Sequence, residues 1–170
     1  NWHMGENLPG GANRSLAHPP TYGDPDHMLA ARSGDGQGFR ALGTGVKPVD
    51  ANDYGWVHTN SGIPNKVYYL LAHGGTHNGL TITAMSPRSK VWQLYYNVLA
   101  HHLTANAQFA DFRAKMLAYA KSKGGTYGPH DLCKIANAFA SVGIGPSDAD
   151  CDGQLDDVDL DDDGDGIGDS

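Results

Sequence analysis

Two constellations in this 170-residue chain could do chemistry. The first is an internal repeat of alternating aspartates. Asp148-Ala-Asp150-Cys-Asp152-Gly153-Gln-Leu-Asp156 follows the pattern D-x-D-x-D-G-x-x-D, and Asp161-Asp-Asp163-Gly-Asp165-Gly166-Ile-Gly-Asp169 follows it again thirteen residues later. Alternate carboxylates in an extended loop point inward, glycine takes the sharp turn, and calcium wants six to eight hard oxygens. Asp159 falls at the twelfth place of an EF-hand-like count from Asp148, where a glutamate would give two oxygens. Residues 145–170 hold eleven Asp and no Lys or Arg, charges that repel unless cations sit between them. The repeats therefore predict a calcium-binding tail. No amphipathic helices flank them, which argues against an EF-hand pair or a dockerin-type module.

The second constellation is Asp53-Tyr-Gly-Trp-Val-His58-Thr-Asn-Ser-Gly-Ile-Pro-Asn-Lys66. A carboxylate five residues before a histidine, at the mouth of a helix, can accept the imidazole Nδ1–H. The tautomer is then fixed, and Nε2 of the protonated ring is left to donate to an anionic intermediate. An ordinary loop histidine is the alternative on pattern alone. Other hydrolytic signatures are missing. The only glutamate is Glu6, so there is no His-Glu-x-x-His, and no Gly-x-Ser-x-Gly elbow or phosphate loop occurs. His73-Gly-Gly-Thr-His77 has ligand spacing, but its glycines would unwind the helix that makes the spacing useful. His101 and His102 diverge around a helix and cannot share a metal. No zinc site is expected in this chain.

Four helices must position these groups. The first is expected from about Ser61 to Ala72, with Ile63, Val67, Leu70 and Leu71 on one face and a stop at Gly74-Gly75. The second is expected to open at Ser86-Pro87 and to carry Val91, Leu94, Tyr95, Val98, Leu99 and Leu103. A third should use Asn106 as its cap and bury Phe109, Phe112, Met116 and Tyr119. The fourth should follow Gly128-Pro129, carry Leu132, Ile135, Phe139 and Val142, and end at Gly143. Leu80-Thr81-Ile82-Thr83 alternates but is too short to count as a strand. The first sixty residues read as Gly/Pro/Asp-rich loop. The fold class expected is mainly α: a helical bundle behind a long loop-rich N-terminal face, with an extended Asp-rich tail.

Charge separates the same two regions. The net charge is −7, but residues 1–144 hold all 12 bases and only 8 of the 19 acids. Nothing in this distribution makes the basic stripe that nucleic acid requires. No apolar run reaches the roughly 18 residues of a membrane span. Cys133 and Cys151 permit one bridge at most, and their pairing stays open. The first residues show no targeting signal and no initiator Met, so the chain looks processed or excerpted.

Val57-His58-Thr59-Asn60-Ser61-Gly62-Ile63-Pro64-Asn65-Lys66-Val67-Tyr68-Tyr69-Leu70 resembles the signature around the active-site histidine of the thermolysin family of zinc endopeptidases. Asn1-Trp2-His3-Met4-Gly5-Glu6, Arg14-Ser15-Leu16, Tyr22-Gly23-Asp24-Pro25-Asp26-His27, Gly74-Gly75-Thr76-His77 and Ala138-Phe139-Ala140-Ser141-Val142-Gly143 agree with it, collinearly. The resemblance covers residues 1 to about 144, the C-terminal, mostly helical half of such a peptidase. It implies two domains, 1–144 and 145–170. It also implies that His58 hydrogen-bonds the tetrahedral oxyanion, oriented by Asp53, and that Arg14 holds a substrate carbonyl. Met4 and Asn13 would line a specificity pocket, made more polar by Asn13 where the family usually has Leu. Asn1 and Glu6 would be calcium ligands, the site weakened because Asn1 stands where the family has Asp. Zinc would come with a missing N-terminal half as partner, and the substrate would be a peptide or protein cleaved before bulky apolar residues. The tail resembles the thrombospondin type 3 calcium repeats of secreted bacterial proteins, which implies export. By itself the chain is expected to be inactive. The competing reading is a non-catalytic calcium-binding surface or adhesion module that retains the fold.

Overall fold

The chain, described over residues 1–169 in a computed structural model, divides into two compact units, Asn1–Tyr69 and Leu70 onward. The first unit opens with a two-stranded antiparallel ribbon, β1 (His3–Met4) and β2 (Arg14–Ser15), with Met4 opposite Arg14. Short 3-10 turns follow at Pro19–Tyr22, Ala30–Arg32 and Asp50–Asn52. Loop was expected up to residue 60, but helix α1 (Asp53–Asn60) occupies its end, and α2 (Gly62–His73) follows at once. The sequence hides α1 for a physical reason. Asp53, Tyr54, Gly55 and Trp56 have φ of 52°, 48°, 91° and 63°, left-handed values that carry no right-handed helical periodicity. Asn52 Oδ1 holds this turn by accepting from Gly55 N at 3.2 Å.

With so little strand, the loops are held by side chains reaching into backbone. Buried Asn60 accepts from Arg40 N at 2.9 Å and donates to Arg40 O at 2.8 Å, imitating a strand pair. Lys66, also buried, donates from Nζ to Ala17 O at 2.8 Å and lies 5.2 Å from the Tyr69 ring centre. Burial pushes the Lys66 pKa down, with Asp26 opposing it. The Trp2 ring meets the Tyr69 ring edge-on at 5.1 Å, while Ile63 and Val67 are fully buried.

Gly62 lets α2 begin where it does. A Cβ at this position would lie 2.4 Å from Pro25 O and 2.8 Å from Asp24 Cβ. No side chain fits there.

The second unit is built on apolar periodicity. Leu70 and Leu71 close α2, and a hairpin follows, β3 (Gly75–His77) paired with β4 (Leu80–Ile82). Its two-residue turn, Asn78-Gly79, has φ of 46° and 89°, the conformation for which Asn-Gly is the strongest short signal. The alternation at Leu80 was therefore a strand after all. Three helices complete the unit: α3 (Ser89–His101), α4 (Phe109–Ser122) and α5 (Pro129–Ser141). Val91, Leu94, Val98, Phe112, Met116, Ile135 and Phe139 are buried, and the Phe112 ring meets both Tyr95 and Phe139 edge-on. Leu99, expected on the buried face of α3, is exposed. The cap of α4 is Gln108 rather than Asn106, because Asp111 Oδ2 accepts from Gln108 N at 2.8 Å. Similarly, α3 starts at Ser89 with Arg88 as its cap, two residues later than Ser86-Pro87 suggested.

The mainly α architecture expected from the sequence is the one observed. Residues 145–169 group with the second unit through the Cys133–Cys151 disulfide, which spans 18 residues and is worth about 3 kcal/mol by loop-closure entropy. Among the described residues no helix is long and apolar enough to cross a membrane.

Glycine-to-alanine in an open helix gains about 1 kcal/mol. At Gly62 the sign should reverse. Overpacking against Pro25 and Asp24 should make Gly62→Ala lose about 1–3 kcal/mol in denaturant unfolding. An unchanged or higher stability would show that the contact is loose.

Candidate active site and cation clusters

Helix α1 presents His58 with its side chain 71% exposed. Asp53, at the start of the same helix, reaches over the left-handed turn. Its Oδ1 bonds His58 Nδ1, while Oδ2 accepts from the amides of His58 at 2.9 Å and Thr59 at 3.1 Å. The two amides fix the carboxylate, its Oδ1 holds the imidazole by Nδ1, and Nε2 is left without a partner among the described residues. The bond from His58, helped by the Thr59 and His58 amides, holds the Asp53 pKa below the usual carboxylate value.

Arg14 grips the same segment from β2. Its Nη1 donates to His58 O and to Ser61 Oγ, both at 2.7 Å, and lies 3.3 Å from Asp24 Oδ2. Ser61 Oγ in turn donates to His58 O. Asp24 is buried, and burial raises its carboxyl pKa against the pull of Arg14 and Arg40. The guanidinium is 24% exposed, and no described residue engages its Nη2 or Nε. One edge is therefore fastened to the His58 backbone, and the other carries no partner among the described residues.

The ribbon also sets Met4 and Asn13 beside Arg14. Met4 pairs with Arg14 across β1 and β2 and is half exposed, and Asn13 N donates to Met4 O at 3.0 Å. Asp53, His58, Arg14, Met4 and Asn13 thus all lie in the first unit, three of them on one ribbon and two on one helix. Asp24 and Ser61, which complete the grip of Arg14, were not singled out from the sequence. Neither carries a spacing signal, since both meet Arg14 only in the fold.

The aspartates of the tail gather into two groups. Asp148, Asp150 and Asp152 bring carboxylate oxygens within 4.8 Å of one another, and so do Asp161, Asp163 and Asp169. Asp156, Asp159 and Asp165 lie outside both groups and cap backbone instead, at Ala149 N, Asp161 N and Ile167 N. Burial raises the Asp148 pKa, with Asp150 and Asp152 adding to it. At the chain start Asn1 Oδ1 accepts from His3 N at 3.0 Å, and Glu6 is exposed and belongs to no cluster of three metal-ligand side chains among the described residues. Both tail groups offer only hard carboxylate oxygens, the donor set for calcium and not the nitrogen or sulfur set typical of zinc. His73 ends α2 and His77 lies in β3, so neither shares a helix face with the other.

A family model described as the α-helical domain of the thermolysin metallopeptidases matches residues 1–144. The chain belongs to this family. It is 33% identical over 148 residues to a bacillolysin of Bacillus caldolyticus and, equally, to a thermolysin of Alicyclobacillus acidocaldarius subsp. acidocaldarius, with 84% of this chain and 24% of each relative covered. A bacillolysin of Brevibacillus brevis is 34% identical, with 25% of it covered. The chain therefore spans about a quarter of the length of the curated relatives it matches. The matched span takes in the ribbon, α1 and the whole helical bundle, and it leaves out the Asp repeats.

A carboxyl whose folded pKa lies below its unfolded value of about 3.9 stabilises the fold above that value and loses the contribution as pH falls through the lower one. Asp53 is such a group. A carboxyl ¹³C titration should place its midpoint below 3.9, with the exchange protection of the His58 and Thr59 amides lost together with it. A midpoint at or above 3.9 would mean that the Asp53–His58 bond does not persist in solution.

Proposed function

We propose that this chain is the C-terminal half of a secreted, zinc-dependent endopeptidase, supplying the side of the active site that binds substrate and stabilises the oxyanion. The observation that carries the reading is the three-residue arrangement of Asp53, His58 and Arg14 within one unit of a thermolysin-family domain. Asp53 holds Nδ1, so the protonated imidazole can offer Nε2–H to negative charge developing on a peptide carbonyl oxygen. Arg14 binds a neighbouring substrate carbonyl through the edge that no side chain occupies. Met4 and Asn13 line the pocket for the residue beyond the cleaved bond, and Asn13 makes that pocket more polar. The zinc ligands and the proton-transferring glutamate belong to an N-terminal half outside this chain. Zinc, where bound, supplies Lewis acidity and an activated water.

The proposal divides the chain at residue 144. Residues 1–144 serve the peptidase, and 145–170 are thrombospondin type 3-like repeats that take calcium. Asn1 and Glu6 contribute calcium ligands at the junction with the missing half. Export fits the tail, because carboxylate sites of this kind fill at the calcium levels outside cells.

In the assembled peptidase His58→Ala should lower kcat by about 10²–10³ with little change in KM, since its bond strengthens only in the transition state. Arg14→Ala should damage both parameters, because it grips bound substrate and also fastens the His58 backbone. Near-normal kcat/KM in His58→Ala would remove the reading and favour a non-catalytic calcium-binding module. The isolated chain should hydrolyse no peptide and carry no stoichiometric zinc. Caseinolytic activity together with zinc by elemental analysis would contradict this.

A further inference from the structure

The two aspartate groups of the tail sit in different surroundings. Asp148 is only 4% exposed, and its Oδ1 is buried with no hydrogen-bond partner while lying within reach of Asp150 and Asp152. A lone carboxylate oxygen in that position is costly unless a cation completes it. The backbone of the same residue is clamped by α5. Buried Asn137 accepts from Asp148 N and donates to Asp148 O, both at 2.8 Å. Three residues further on, the Cys133–Cys151 disulfide ties the loop to α5 again. From α4, Arg113 donates to Pro146 O at 2.6 Å, just before the site.

The second group also has an orphaned oxygen, Asp161 Oδ1, but it has no clamp from the helices. Its described bonds stay within the tail: Asp162 N to Asp169 Oδ2 at 2.7 Å, Gly166 N to Asp161 Oδ2 at 2.9 Å and Asp169 N to Leu160 O at 2.7 Å. Leu160 and Ile167 are exposed, so little apolar burial holds this repeat in place.

We infer that Asp148, Asp150 and Asp152 form a calcium site preorganised by Asn137 and the Cys133–Cys151 disulfide, which fills before a separate, weaker site at Asp161, Asp163 and Asp169. The inference rests on the reading of the repeats as calcium ligands and adds an order of filling and an anchor to it. Preorganisation removes the ordering cost that the second site must meet from its own binding energy. A filled first site also offsets the negative charge crowded beside Cys151.

The test is a calcium chloride titration of the full chain after chelator treatment, followed by the Asn137 side-chain NH₂ and Gly166 amide signals. Two transitions are expected, Asn137 first, with midpoints separated by about 10-fold or more. Asp148→Asn should remove the first transition and leave the second, and Asp163→Asn should do the reverse. Asp150→Asn, at an exposed position, repeats the first arm should Asp148→Asn disturb folding. After reduction of the Cys133–Cys151 disulfide, the first midpoint should move to higher calcium while the second stays in place. A single midpoint for both signals, or a first transition untouched by both Asp148→Asn and Asp150→Asn, would overturn the order of filling while leaving calcium binding intact. No response at all up to about 10 mM calcium would overturn the calcium reading itself.

Discussion

A buried backbone amide or carbonyl left without a partner costs about 1–3 kcal/mol, and the first fifty residues have only two strand pairs to satisfy theirs. Polar side chains meet the need instead. Asn60 pairs with both backbone groups of Arg40, Lys66 reaches Ala17 O, and Arg14 reaches His58 O. The first unit depends on these contacts much as a sheet depends on its ladder. Each joins segments far apart in sequence, so each fixes a loop at one point rather than along a length.

The same device makes scaffold and site inseparable there. Arg14 positions the backbone of the residue whose ring Asp53 orients, and Gly62 holds the start of α2 against the loop that carries Asp24. The second unit separates the two tasks. Its interior is interlocked through Phe112 and Phe139, Lys90 of α3 and Lys134 of α5 pair with Asp131 of α5, and its clustered carboxylates lie in the tail beyond residue 147. Asn137, Cys133 and Arg113 reach from the bundle to residues 146–151.

This difference decided what could be read from the sequence. Apolar periodicity located α2 and α5 within a residue or two and α4 to within about one turn, and the register of Gly153 and Gly166 marked both carboxylate clusters. The Asp53–His58 pair was legible because its two members lie five residues apart. Helix α1 was not, since its first turn is left-handed and leaves no 3.6-residue pattern. The β3–β4 hairpin is signalled by Asn78-Gly79 alone, since strands of three residues are too short to show a clear alternation. Arg14 with Asp24 and Ser61, and Asn137 with Asp148, carry no local signal at all. These contacts join residues 10 to 47 positions apart, and only the fold makes them neighbours.

The exposure of His58 says what the proposed chemistry still requires. A hydrogen-bond donor aimed at a developing oxyanion is worth about 3–4 kcal/mol in a dry, preorganised site and far less in water, where solvent already answers the charge. Orientation is in place: Asp53 holds the ring through Nδ1 and is itself held by the His58 and Thr59 amides, and Arg14 fastens the backbone beneath it. Exclusion of water is not, because the ring is 71% exposed and Tyr54 and Val57 on the same helix are open as well. An oriented but uncovered donor is half of an oxyanion site. In the proposed function the remaining wall comes from protein beyond this chain, whose relatives are about four times as long as the span it matches. On the proposed reading, the N-terminal half contributes two things at once: the metal that activates water, and the surface that makes the bond from His58 strong enough to matter.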